Sequence, residues 1–318
     1  MSDERGVLSA GLRIVNRHKR YIFWFWVLNI TLAEFGTAAF RNQMHTVLDH
    51  SLFADKLLHG FDLAVLFELL STPETGSVSA STMPAMYFAI LFFVATLLLI
   101  PGVLDAYSSE GRLTREEFFR TCGRNVWRFV RLLLFLAIIS VPSVGVLSGI
   151  ESGFLKAADK STNEMLPFYT SLVSSFVIFL IMTAIRIWFD LAQVDAVVRD
   201  QTAVRRSVAA GFRYARRHLL RLLVIYVVIA VVGLLILAIG LWCWYALVPS
   251  SSVVGAFLIS QIMLILWLWA RFWQRAVAVA YYLRETALVP PLGVPEPIPT
   301  LQPPAPLAPP APEGAAQT

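Results

Sequence analysis

Arg186 and Asp190 stand four residues apart in the stretch RIWFDLAQVDAVVRD, where a long apolar run ends. On a helix this spacing puts a guanidinium and a carboxylate on one face, within reach of each other. Ionisable groups inside a membrane are costly. They mark a substrate path, an internal pair, or a long side chain reaching back to the headgroups. Arg271 and Arg275 occupy the matching places at the end of another apolar run, and Trp188 and Trp273 each follow two residues after the first arginine. This alignment sets Asp190 level with Arg275. The expectation is a structural pair between the two runs, beside the Arg186–Asp190 contact. Counted from Phe168, Arg186 is about 27 Å along its helix, and counted back from Asp195 it is about 13 Å deep. Tilt or extension of the helix reconciles the two. Glu34, six residues before Phe40, lies about 9 Å inside its own run. There it can face a partner helix, hold a cation or carry a proton.

Other reactive residues make no constellation. No G-x-S-x-G, H-E-x-x-H or phosphate-binding glycine loop occurs, so neither catalysis nor a cofactor is expected. His45, His50 and His59 lie near Asp49 and Asp62 but lack compact ligand spacing, and they read as surface histidines of an interfacial helix over 45–70. The stretch STPETGSVSAST that follows reads as a linker.

The elements that must hold these groups are membrane spans. Of 318 residues, 57% are hydrophobic and 15% charged, where soluble domains carry about a quarter charged. A span needs about 20 apolar residues. The pattern predicts an all-α bundle over 21–288 with six spans, near 21–40, 85–107, 132–150, 168–189, 222–247 and 253–275. Pro249 and its serine neighbours turn the chain between the last two. The first run is too long for a cleaved signal and is read as retained. Cys122 and Cys243 fall on opposite sides, so no disulfide is expected.

Charge sets the orientation. The segments 1–20, 108–131, 186–221 and 271–318 hold 22 of the 26 basic residues, against 4 in 41–84 and 151–167. Both termini are therefore expected in the cytoplasm. The net charge of +5 is a topology signal and does not point to nucleic acid.

Three echoes imply a repeat. AGLRIVNRH (10–18) matches AGFRYARRH (210–218), the region of Asp105 matches that of Asp195, and RIW…RD matches RFW…RE. All fit one unit of a basic amphipathic helix and a hairpin of spans, three times over 1–110, 112–200 and 203–285. In 204–219, Val204, Val208, Phe212, Ala215 and Leu219 oppose Arg205, Arg206, Arg213, Arg216 and Arg217. In the earlier unit, Thr114 and Glu117 have capping-box spacing, and Phe118, Cys122, Val126 and Phe129 oppose Arg120, Arg124, Arg128 and Arg131. Such helices, with the basic leader 1–20, are expected to lie at anionic headgroups, anchoring the chain. The tail 289–318 holds 11 of the 17 prolines and reads as a disordered cytoplasmic extension able to meet a protein partner.

This layout, with a basic "A…G…" helix entering a span after "R…W…D…VD", resembles bacterial six-span membrane proteins. It is also similar to the membrane domain attached to some glycerophosphodiester phosphodiesterases. The resemblance implies a helix bundle in a bacterial inner membrane; the carboxylate–histidine set of the phosphodiesterase barrel is missing. Two roles follow from the residues. One is a scaffold meeting lipid or protein partners. The other is a transporter or lipid-handling protein whose charges line a cavity.

Overall fold

The computed structural model describes residues 2–48, 78–109, 113–161, 163, 165–249 and 252–288. Among the described residues there are eight α-helices and no strand. They are α1 Ser2–Arg17, α2 Arg20–Leu48, α3 Val78–Ser108, α4 Arg115–Ala158, α5 Leu166–Val198, α6 Val204–Arg217, α7 Leu219–Leu247 and α8 Val253–Leu288. Five of them, α3, α4, α5, α7 and α8, are long and apolar enough to cross a membrane. The first expected span is not among the five. That span falls on α2, which has 29 residues. The tail 289–318, together with Asp49, His50, His59 and Asp62, lies outside the described residues.

The basic amphipathic segments do not behave alike. A break at His18 separates α1 from α2, and another at His218 separates α6 from α7. In α4 the basic segment runs on into the apolar one without a break, over 44 residues or about 66 Å. The expected capping box starts it. Thr114 Oγ accepts from the Glu117 N–H at 3.3 Å, and Glu117 Oε2 accepts from the Thr114 N–H at 2.8 Å.

Packing concentrates at the end of the bundle that carries the arginines, here the basic end. Val15, Phe25, Val103, Leu104, Ile187, Leu191, Leu222, Phe272, Val277 and Tyr282 form one buried cluster there. Each amphipathic segment docks on the end of a long helix: α1 on α8, the start of α4 on α3, and α6 on α5. Since α1 is first and α8 last, the chain closes on itself at this end. Beyond it the helices diverge, and only 6–28% of the apolar windows is buried in the chain. Phe93, Val141, Phe176, Leu234 and Phe257 are among the large residues left facing outward, the expected surface of helices against lipid tails, where the bilayer demands no hydrophobic burial.

Small residues permit the docking. A β-carbon on Gly211 would sit 2.8 Å from the Trp188 carbonyl oxygen and 2.8 Å from the Ala192 nitrogen. One on Gly11, the residue matched to Gly211 in sequence, would meet Val277 in the same fashion, 3.0 Å from its nitrogen. Where α4 crosses α3 the glycine is on the long helix instead, and Gly102 faces Cys122 and Phe118. The tryptophans tie the same crossings: Trp188 Nε1 donates to the Val208 carbonyl at 2.8 Å and Trp273 Nε1 to the Leu8 carbonyl at 3.1 Å.

This docking changes the reading of α6. Its buried face is Val204, Ser207, Gly211 and Ala215, while Phe212 is half exposed. The small residues at i, i+4 and i+8 bring α6 onto α5, so its inner face meets protein where lipid was expected. Its five arginines stay on the open side.

Candidate functional site

The depth of the charged cluster follows from helix lengths. Arg186 is 20 residues from the start of α5, Arg271 is 18 from the start of α8, and Tyr226 is 21 from the far end of α7. At 1.5 Å per residue these are about 27–32 Å, the thickness of a hydrocarbon core. If the far ends mark one edge of the core, the cluster marks the other. The buried basic end then stands beyond it, at and above the headgroups. This favours the first of the two counts made for Arg186.

Within the cluster, Arg186 Nε is 3.7 Å from Asp190 Oδ2, one helical turn on. The cross-helix partner of that carboxylate is Tyr226 of α7, whose hydroxyl donates to Asp190 Oδ2 at 3.0 Å. No Asp190–Arg275 ion pair forms among the described residues, although Arg275 feels the Asp190 charge. The guanidinium of Arg275 packs over the Phe272 ring and that of Arg271 over the Trp267 ring, at 5.7 and 5.0 Å from the ring centres.

These groups border a cavity of about 430 Å³ between α5, α7 and α8. Thr183, Arg186, Tyr226, Arg271 and Gln274 form its polar part, and Phe176, Phe179, Val231, Leu234 and Leu237 its apolar part. Phe176, Val231 and Leu234 are exposed, so the cavity opens sideways, toward where lipid lies. Toward the basic end the same three helices continue with the buried residues Ile187, Leu222 and Phe272.

The remaining candidates are placed otherwise. Glu34 takes an ion pair from Arg41 at 2.6 Å on the outer surface of α2, with both side chains more than half exposed. Arg120 pairs with Glu116 at 2.6 Å. Arg124 and Arg128 both reach Asp200, in the turn from α5 to α6, and Arg128 is largely covered. These two arginines are thus internal ties, while Arg205, Arg206, Arg213, Arg216 and Arg217 remain exposed.

Asp200 holds φ 49°, the one left-handed non-glycine residue among those described, a conformation Asp and Asn tolerate best. The hydrogen bond from Arg128 keeps its carboxyl below the ordinary 3.8. A group depressed in the folded state stabilises above its ordinary pKa, and that contribution fades as pH falls through the depressed value. Asp200→Asn keeps the backbone preference and removes the charge. At pH 7 it should lower stability by under about 1 kcal/mol, since the carboxylate itself is half exposed. Thermal unfolding should show wild type and variant converging as pH drops below 3.8.

Sequence reasoning missed the hydroxyl partners of the carboxylates. Tyr282 donates to the buried Asp195 at 2.6 Å, and Thr121 donates to Asp105 at 2.8 Å. The signal for Tyr226 was present: it is a lone polar group in the aliphatic run LLVIYVVIA. No protein-family model, curated protein or solved structure matches the chain.

Proposed function

We propose that this is a six-span protein of a bacterial inner membrane, with both termini cytoplasmic, acting as a scaffold that holds anionic lipid. In this reading three copies of one unit, an amphipathic helix and a hairpin, close into a ring at the cytoplasmic face. The exposed arginines of α6 meet the headgroups, and the tail 289–318 is free to meet a protein partner. The likeness to other six-span proteins enters as layout only, with no phosphodiesterase chemistry.

The observation carrying the proposal is the cavity edged by Arg186 and Arg271, open sideways among apolar residues, with buried ones following toward the basic end. A water-filled transport site opens toward one aqueous side or the other in turn; a lipid site opens toward the bilayer. The matched crossings at Gly11 and Gly211, each with its tryptophan tie, support the repeated unit. The basic count supports the orientation.

Thiol labelling in oriented membrane vesicles tests both parts, with Cys122 and Cys243 replaced. Cysteine at Ser9 or Thr202 should react with an impermeant maleimide only from the cytoplasmic side, and cysteine at Ser161 only from the opposite side. Thr183→Cys, in the cavity wall, should resist that reagent from both sides and react with a bilayer-soluble maleimide. Impermeant labelling at Thr183→Cys would put water in the cavity and give the lead to transport. Ser9 and Ser161 labelling from one side would overturn the six-span topology.

A further inference from the structure

The cavity between α5, α7 and α8 carries a charge imbalance. Arg186 and Arg271 border one volume, Arg275 lies one turn beyond Arg271 on α8, and among the described residues Asp190 is the one carboxylate that forms an ion pair with any of the three. With Asp190 ionised, the cluster carries an excess of two positive charges. Two of the three guanidinium groups, Arg186 and Arg271, border the open volume itself. At the edge of a hydrocarbon core such an excess repels cations and draws an anion.

The geometry narrows the anion. Arg186 comes from α5 and Arg271 from α8, so they approach the volume from different helices. The Arg271 guanidinium carbon lies 5.0 Å from the Trp267 ring centre, a cation–π contact that spends none of its N–H donors on an oxygen acceptor. A carboxylate has two oxygens and is satisfied by one guanidinium fork. A phosphodiester also carries its charge on two oxygens, but they project tetrahedrally from phosphorus with ester oxygens beside them, so two forks from separate helices can each take one. The hydroxyl of Thr183 and the amide of Gln274 are in the same wall. Depth points the same way. The arginines lie one hydrocarbon thickness from the far helix ends, which is the level of lipid phosphates, and the apolar part of the cavity extends from there into the core, where acyl chains run.

We infer that the cavity is a phosphate-binding site for an anionic glycerophospholipid, its phosphate held between Arg186 and Arg271 and an acyl chain laid along Phe176, Phe179 and Leu234. The inference rests on the lipid-holding reading above and adds a defined stoichiometry, one lipid per chain, at a named place. The same phosphate chemistry can come from dissolved phosphate, and the test separates the two sources.

The full chain, purified in mild detergent, would be titrated with dioleoylphosphatidylglycerol, dioleoylphosphatidylcholine and oleate, and bound adducts counted by native mass spectrometry. One phosphatidylglycerol should bind about tenfold or more tightly than phosphatidylcholine, as expected for a paired charge-assisted contact. The Arg186→Gln/Arg271→Gln double variant should lose that adduct. Ala230→Phe, which fills the cavity and leaves every charge in place, should lose it too, and decides the matter if the double variant melts early. Displacement of the adduct by millimolar inorganic phosphate would place the natural source in solution; persistence would place it in the bilayer. Oleate binding as tightly as phosphatidylglycerol would overturn the phosphate site. If the anionic preference survives in both variants, the cavity inference falls and the lipid-holding reading stands. If wild type shows no anionic preference, both fall.

Discussion

Asp190→Ala should destabilise the bundle by about 3–5 kcal/mol, the range found when one partner of a buried charge group is removed. The carboxylate is 14% exposed, and its neighbours are Arg186, the Tyr226 hydroxyl and, less directly, Arg271 and Arg275. Its loss leaves three guanidinium groups repelling one another and a buried hydroxyl without its acceptor. The two effects can be separated. Asp190→Asn keeps an oxygen for Tyr226 and removes only the charge, while Tyr226→Phe removes only the donor and should cost about 1 kcal/mol. Unfolding in a fixed detergent should order the variants as alanine worst, asparagine next and Tyr226→Phe mildest. Adding Arg186→Gln to Asp190→Ala should restore part of the loss, because one of the repelling cations is gone. If Asp190→Ala melts within a degree of wild type, Asp190 has no such role. The charge excess drawn for the cavity then has no energetic consequence either. Stability and ligand affinity should also move in opposite directions here. Asp190→Asn makes the cluster more positive, so it weakens the fold while strengthening the hold on an anionic headgroup.

The legible part of this site was its charges; the illegible part was what each charge meets. Arg186 and Asp190 are read from an i,i+4 spacing, and the contact is local, so the sequence alone places it. The partner of Asp190 across the bundle depends on how α7 rotates about its axis; the lone Tyr226 marks which face is polar, but the aliphatic run around it does not say what that face meets. Alignment of Arg275 with Asp190 gave equal height but not equal facing, and Tyr226 fills the place expected for the arginine. The amphipathic helices show the same division. Periodicity finds the arginine face of α6, yet the buried face runs through Ser207 and Gly211, residues that a hydrophobic pattern ignores. Small residues act by letting backbones approach, and that is invisible until the opposing helix is known. Arg124 and Arg128 looked like lipid contacts because Asp200 is far away in sequence, and only the turn between α5 and α6 brings it back to them. The helix break at His18 and His218, absent in α4, likewise follows no propensity signal visible in the three segments.

The close approach at Gly211 makes the other large prediction. A leucine there must displace the Trp188 carbonyl and the Ala192 nitrogen, which are backbone atoms of a helix and cannot rotate away. Overpacking that flexible side chains absorb costs about 1–3 kcal/mol, and here about 3 kcal/mol or more is expected. The loss should be local before it is global: α6 should lift from α5, breaking the Trp188–Val208 hydrogen bond and loosening its backbone so that trypsin cuts at its already exposed arginines. Gly11→Leu should behave alike against Val277, releasing α1. Gly102→Leu meets only side chains, those of Cys122 and Phe118, and should be milder. Gly145, also inside a helix, has nothing within 4 Å of its added carbon. Gly145→Ala should therefore stabilise α4 by about 0.5–1 kcal/mol through helix propensity. Limited proteolysis with thermal unfolding of the four variants gives the comparison. A common mild effect at Gly11, Gly102, Gly211 and Gly145 would mean that the amphipathic helices are not held by close backbone crossings. The proposed ring at the basic end would then lose its physical basis, and the proposed lipid-facing cavity its floor.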